Sequence, residues 1–356
     1  MIYEKRIQNL HIMPNSIYTN AYIEFINKYF AEEDHVFFVS VRSELSKLVQ
    51  ANNVTTFSIK CHPIRFIKLL RVSNKIFLHG FFYRGKSILY WYLNSYLLKK
   101  SYWVIWGGDL YFYKHRPRNF KSNLTEFFRK RVIKKIPRII SFVPGDYELA
   151  RNVYGVKAKY YPAFYPNPIS FELLDKNKIG IENPSKRIIL LGNSADPTNN
   201  HIEMINKLSK FSSENLVIIC PLSYGNKDYA NRVIEYGKSI FGGKFVPLLK
   251  LLNVNEYSRI LNVVDIAIFN HDRQQAGSNI TALLYLGKKV YIRKNTTTWQ
   301  YFEDKCIKIY DTCFIEEDDF FSLFLMNQKY QKKNRIEIEK LFSDEKCVFF
   351  WSAIFG

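Results

Sequence analysis

The 356-residue sequence lacks most of what would tie it to a disulfide framework or a membrane span. Its five cysteines, Cys61, Cys220, Cys306, Cys313 and Cys347, are odd in number, scattered and without CxxC spacing. That excludes a cystine scaffold and a zinc site and reads as reduced thiols. No apolar run approaches the ~18 residues of a spanning helix, and the start, MIYEKRIQNL, has no signal-peptide core. The sequence therefore predicts a protein that stays in the cytosol or on its membrane. Glycine (15) and proline (12) are too few for a fibrous or low-complexity chain. Acids are locally scarce as well: from Lys60 to Arg138 only Asp109 and Glu126 stand against 19 basic residues.

What is present is positive charge and apolar bulk. The net charge is +20, and 47% of residues are hydrophobic, so a large core can be buried. Residues 1–170 hold 27 Lys/Arg against 10 Asp/Glu (+17), whereas residues 171–356 hold 25 against 22 (+3). A field of that sign attracts phosphate, whether on nucleic acid, lipid headgroups or a charged substrate. The basic residues are interleaved with large apolar ones, among them Phe82, Leu89, Tyr90, Trp91, Phe127 and Phe128, a mixture that suits an anionic membrane surface. Nucleic-acid binding is the rival reading, but no base-reading module is recognisable.

The length suits two domains of roughly 150 to 200 residues. Short apolar runs alternate with helical stretches throughout. Strands are expected at Val36–Val41, Lys75–His79, Tyr102–Trp106 and Arg138–Val143, then at Ile188–Leu191, Leu216–Cys220, Lys244–Pro247, Ile266–Phe269 and Lys289–Ile292. Such a series with crossover helices predicts α/β architecture with parallel, doubly wound sheets. The run YYPAFYPNP at 160–168 cannot sustain a helix or a central strand and marks a domain connection. The expected domains are 1–168 and 169–340, with 341–356 packing back on the first.

Polar loops follow the strands of the second half. After Ile188–Leu191 come Gly192, Asn193, Ser194 and Asp196, after which a helix starts. Small residues at a strand-to-helix turn direct backbone N–H groups and a helix N-terminus at a phosphate, although a plain N-cap would use the same residues. After Ile266–Phe269 come Arg273, Gln274, Gln275, Gly277, Ser278 and Asn279. Arg273 offers a two-pronged fork for a diphosphate, beside a helix start that exposes free N–H groups. Together they are suited to stabilising a departing nucleoside diphosphate. Tyr224, in the loop after Leu216–Cys220, is placed to stack on a base or contact the same ligand.

In the first half, Trp106, Gly107, Gly108 and Asp109 end an apolar strand, and paired glycines let a ligand approach the backbone. Asp109 is the candidate general base for an incoming hydroxyl, with Trp106, Gly107 and Gly108 around the acceptor. His79, ending another strand beside Gly80, is the rival base. No DxD pair occurs, so neither a metal nor any other cofactor is expected.

As a set, FLHG at 77–80, YWVIWGGDLY at 102–111, LLGNSADPTNNHI at 190–202, PLSYGNKDY at 221–229, and RQQAGSN at 273–279 with WQ at 299–300 resemble glycosyltransferase family 56. These are the TDP-4-acetamido-4,6-dideoxygalactose transferases of enterobacterial common antigen synthesis, or related O-antigen enzymes. The resemblance implies a GT-B architecture, two Rossmann-like domains with parallel sheets facing a cleft. It implies a nucleotide-sugar donor, TDP-sugar favoured, on the second domain and a polyprenyl-diphosphate-linked glycan acceptor on the first. With such an acceptor, the basic, aromatic first half is expected to attach the protein peripherally to the cytoplasmic face of the bacterial inner membrane. Gly108 and Ser278–Asn279 depart slightly from the pattern, which leaves the sugar open. A non-catalytic nucleotide-sugar-binding protein is the remaining alternative.

Overall fold

The computed structural model describes residues 6–40, 48–57, 63–178 and 186–356. It divides into two units, Met1–Asn167 with Asp344–Gly356, and Pro168–Ser343. Cys61 lies outside the described residues.

The first unit carries seven parallel strands: β1 (Ile7–Pro14), β2 (His35–Ser40), β3 (Val54–Phe57), β4 (Ser73–His79), β5 (Ser101–Val104), β6 (Arg138–Ser141) and β7 (Lys159–Pro162). Their order is β3-β2-β1-β4-β5-β6-β7. The order reverses between β1 and β4, and ligands of open α/β sheets bind outside the carboxyl ends of the strands at such a reversal. Alternation along the strands sorts side chains to two faces. Leu10, Ile12, Phe38, Ile76, Leu78 and Trp103 pack with Phe66, Leu69, Ile88, Trp91 and Val132 from the helices Pro63–Val72, Lys86–Leu93 and Phe120–Ile133. On the other face Phe37, His11, Phe77 and Tyr102 stack ring on ring across four strands, with centroids 4.7, 4.8 and 4.7 Å apart. The helices Ile17–Tyr29 and Asp344–Phe355 cover that row with Tyr22, Trp351 and Phe355.

The second unit carries β8 (Arg187–Leu191), β9 (Leu216–Pro221), β10 (Phe245–Leu248), β11 (Ile266–Phe269), β12 (Lys289–Ile292) and β13 (Tyr310–Asp311). All are parallel in the order β10-β9-β8-β11-β12-β13, with the reversal between β8 and β11. The expected five strands are present and a sixth, β13, is added. In the first unit β1, β3 and β7 are strands beyond those expected from the sequence pattern. β1 escaped because Asn9 and His11 interrupt its apolar run, yet both are buried. β7 ends in Pro162 within the proline-rich run and lies at the sheet edge, where a missing N–H is tolerated.

Candidate functional site

The second unit's site grows from the two strands that flank its sheet reversal. β8 turns sharply at Gly192, whose φ is +70° and where a Cβ would meet His201 Nε2 at 2.3 Å. Only glycine fits there. Asn199 then organises the turn: its Oδ1 accepts from Asn193 N (3.0 Å) and lies 2.9 Å from His271 Nε2, in the loop after β11. The loop after β9 is zipped to the same turn, because Ala195 N donates to Tyr224 O (2.7 Å) and Asn226 N to Ala195 O (2.9 Å). Tyr224 Oη in turn accepts from Asn193 Nδ2 (3.1 Å). Gly225 makes this approach possible, since a Cβ on it would lie 2.6 Å from the Ala195 carbonyl carbon.

Arg273 and Asp196, read separately from the sequence, form an ion pair (NH2 to Oδ2, 3.0 Å). Arg273 also donates through NH1 to Gln274 O (3.1 Å), and Gln275 Nε2 to Thr198 Oγ1 (3.3 Å). Burial opposes the charge on Asp196, but the Arg273 guanidinium and the Thr198 hydrogen bonds outweigh it and hold the carboxyl below its usual range. A positive guanidinium is thus fixed in place by an anchored carboxylate, with further N–H donors on its fork. Beside it the helix Gly277–Tyr285 begins after Ala276, which has φ +59° and gives no side-chain cap. A Cβ added at Gly277 would meet only Gln274 Nε2, at 3.8 Å, so no crowding demands glycine there. Asn279 Nδ2 donates to Tyr257 Oη (3.1 Å) and Ser278 opens the same turn. Gly192, Asn193, Ser194, Asp196, Tyr224, Arg273, Gln274, Gln275, Gly277, Ser278 and Asn279 therefore share one edge of one sheet. His271, Asn199 and Asn270, which knit the loops together, were not singled out by the sequence because amide-rich turns are commonplace.

In the first unit Asp109 differs from the expectation of a free base. It is 1% exposed, and its carboxylate accepts from Phe81 N (2.6 Å), Trp103 Nε1 (2.6 Å) and Trp106 N (3.0 Å). A base needs a lone pair directed at its substrate; this one is occupied in tying the loop after β4 to the loop after β5. Arg129, also 1% exposed and absent from the sequence reading, completes the knot by donating to Phe81 O and to Asp109 O (2.8 Å). Asp109 is accordingly an anchor, and Trp106, Gly107 and Gly108 are the residues it holds at the sheet's carboxyl edge.

His79, the rival base, is likewise buried and hydrogen-bonded inside the unit. It is 1% exposed, its Nε2 lies 3.0 Å from His11 Nδ1, and its Nδ1 hydrogen-bonds the hydroxyl of Tyr165. Burial lowers its pKa to about 3. The group that stands at the edge is Tyr165, half-buried, whose oxygen also accepts from Trp106 Nε1 (2.7 Å).

Among the described residues no group of three His, Cys, Asp or Glu is placed to hold a metal ion. No described helix is long and apolar enough to cross a membrane. The basic first unit does present an apolar face. The helix Lys86–Leu93 and the residues after it expose Leu89, Leu93 (70%) and Tyr96, and the neighbouring helix Phe120–Ile133 exposes Phe120 (83%), Leu124 and Phe127. Lys86, Lys99, Arg118, Lys121, Lys130, Arg131, Lys134 and Lys135 are exposed around them.

Solved structures of other proteins share this fold over their whole length. A glycosyltransferase from Rickettsia africae ESF-5 has a TM-score of 0.67 at 12% identity, covering 99% of this chain and 98% of that one. Anabaena HepE in complex with UDP and glucose gives 0.69 at 10%, covering 98% and 99%. Sucrose-phosphate synthase of Thermosynechococcus elongatus gives 0.63 at 8%, covering 98% of each. The fold is that of the GT-B glycosyltransferases, two parallel-sheet Rossmann-like domains. The sequence model of the family described as "4-alpha-L-fucosyltransferase glycosyl transferase group 56" matches residues 13–336.

Proposed function

This chain belongs to glycosyl transferase group 56, and from that premise we propose that it moves a deoxyamino or deoxy sugar from a nucleoside diphosphate to a polyprenyl-diphosphate-linked oligosaccharide. The setting is bacterial surface polysaccharide synthesis, on the cytoplasmic face of the inner membrane. The observation that carries the donor side is the Arg273–Asp196 pair beside the uncapped start of the helix Gly277–Tyr285. A fixed guanidinium and the N-terminus of a helix without a side-chain cap bind a diphosphate and gain strength as negative charge develops on the departing phosphate oxygen. That positive charge is the reason for proposing transfer without a metal. HepE, with UDP bound on the same fold, supports a nucleotide ligand, and a TDP-sugar is the favoured donor.

The acceptor side is assigned to Trp106, Gly107 and Gly108, with Asp109 and Arg129 as their anchors. The face formed by Leu89, Leu93, Phe120, Leu124 and Phe127 within its ring of Lys and Arg suits an anionic lipid surface and brings the enzyme to a lipid-linked acceptor.

The test is a thermal-shift screen of nucleotide sugars, because a ligand of the native state raises its melting temperature. It is followed by release of nucleoside diphosphate in the presence of lipid-diphosphate glycan. A TDP-sugar hit with acceptor-dependent release is the expected result. Binding without release would leave a nucleotide-sugar-binding protein, and preference for oligonucleotide over anionic vesicles across a salt series would favour the nucleic-acid reading.

A further inference from the structure

Three histidines form a line across the buried face of the first sheet. His79 is the last residue of β4, His11 lies mid-way along β1, and His35 is the first residue of β2. The registers are Phe37 opposite His11 and Phe77 opposite His11, so His79 stands two residues beyond His11 and His35 two residues before it, all on one face. The line thus runs diagonally for about four residues, roughly 13 Å along the strands, from the carboxyl edge to the amino edge of the sheet. Its links are short: His79 Nε2 to His11 Nδ1 is 3.0 Å and His11 Nε2 to His35 Nδ1 is 3.0 Å. Tyr165 joins the carboxyl end through its hydroxyl on His79 Nδ1.

Packing alone does not account for the line. Phe37 and Phe77 occupy the neighbouring positions of the same face, and a fourth aromatic ring in place of His11 would continue their stack. What imidazole adds is one donor and one acceptor per neutral ring, in series. Trp106 Nε1–H donates to the Tyr165 oxygen, leaving the phenol's own hydrogen for His79 Nδ1. His79 Nε2–H then donates to His11, and His11 Nε2–H to His35. Tyr165 keeps a lone pair at the sheet's carboxyl edge, at the reversal between β1 and β4, beside Trp106 and Tyr18.

Resting on the glycosyl-transfer reading, we propose that Tyr165 is the group that accepts the proton of the attacking hydroxyl and that His79, His11 and His35 relay it to the far edge of the sheet. As the acceptor oxygen bonds to the anomeric carbon, the bond from that carbon to the phosphate oxygen breaks and its electron pair leaves on the nucleoside diphosphate. The acceptor's proton goes to the Tyr165 oxygen and the phenol's own proton to His79 Nδ1. The His79 Nε2 proton passes to His11 Nδ1, and the His11 Nε2 proton to His35 Nδ1. His35 becomes the imidazolium and later loses a proton to water. The groups facing the line are Tyr22, 5.1 Å from the His79 ring and 5.6 Å from the His11 ring between centroids, and Lys75, whose charge acts on His35. Burial lowers His79 to about 3 and, with Lys75, His35 to about 4, so the rings rest neutral, each with one N–H and one lone pair in the line.

The test uses the full chain in two measurements. With nitrogen-15 in its histidines, the wild type should show each ring in one tautomer, and Tyr165→Phe should shift the His35 resonances although three hydrogen bonds separate the two. Unchanged His35 signals would overturn a connected relay. In turnover, Tyr165→Phe and His35→Gln should each cost on the order of 10²-fold in kcat, with nucleotide-sugar affinity retained. Folded Tyr165→Phe with wild-type kcat would overturn the proposal while leaving the glycosyl-transfer reading intact. A wild type that releases no nucleoside diphosphate from any donor would sink that reading first, and the relay's role with it. Should His35→Gln fail to fold, Tyr165→Phe at the half-buried end still decides.

Discussion

The buried histidines make acid stability the sharpest quantitative expectation. His11, His35 and His79 are all at most 2% exposed, and burial favours their neutral forms: His79 is lowered to about 3, His35 to about 4, and His11 well below its ordinary value by burial, with His79 and His35 beside it. An unfolded histidine titrates near 6.5. Below that pH the unfolded chain binds protons that the folded chain refuses, so stability rises with pH over this window. It is fully present above about 6.5 and is lost as the pH falls toward about 4. At pH 5 His35 and His79 each contribute a loss of roughly 2 kcal/mol, a sizeable part of the stability of many domains, and His11 adds to the loss in the same direction. Glu126, raised chiefly by burial, offsets a small part because the folded state takes its proton early. The assay is thermal melting from pH 8 to pH 5 with calorimetric proton uptake. The expected slope for the first unit approaches three protons per unfolding event below pH 6. Uptake below one proton, or a melting temperature flat between pH 6.5 and 5, would refute the neutral buried line.

Asp109→Asn leaves at least one of the Phe81, Trp103 and Trp106 donors facing an amide N–H₂, and should destabilise the first unit by roughly 2–4 kcal/mol in urea titrations. Lost turnover in a variant with wild-type stability would restore Asp109 as the base. Arg273→Ala unpairs Asp196 and, on the proposed donor site, takes away a charge-assisted contact to the diphosphate, so nucleotide-sugar affinity by calorimetry should fall about 10- to 100-fold. An unchanged affinity would remove Arg273 from the donor site. Lys121→Glu with Lys130→Glu should weaken flotation on phosphatidylglycerol vesicles by at least about 30-fold at ~1 kcal/mol per lysine. Phe120→Ser should add to the loss, and indifference to both changes would place the lipid-facing surface elsewhere.

What the sequence could convey was whatever repeats with a period or ends at a strand. The second unit's strands are short apolar runs bounded by glycine and polar turns, so Ile188–Leu191, Leu216–Cys220 and Ile266–Phe269 were legible, and with them the edge on which Gly192, Tyr224 and Arg273 meet. The pairing of Arg273 with Asp196 was not, because it joins residues 77 positions apart in loops whose conformations depend on Gly225 and Asn199. Asp109 shows the opposite failure. A lone carboxylate in a basic, glycine-flanked stretch reads as a catalytic group, whereas its role is fixed by Trp103 and Trp106 close in sequence and by Phe81 and Arg129, 28 and 20 residues away.

The histidine line was hidden for a related reason. Polar residues in β1 broke the apolar pattern that identifies a strand, so the element holding His11 was missed along with the register that sets it between His35 and His79. A buried polar group is tolerable only when its partners arrive from elsewhere in the chain. Here they come from β2, β4 and Tyr165 of the proline-rich run, sites 24, 68 and 154 residues from His11 in numbering. The apparent defect in β1 and the network that satisfies it are one feature. Replacing His11 with phenylalanine would repair the strand's pattern while leaving His35 Nδ1 and His79 Nε2 without their partner, which is why the apolar choice, favoured locally, is the destabilising one in this sheet.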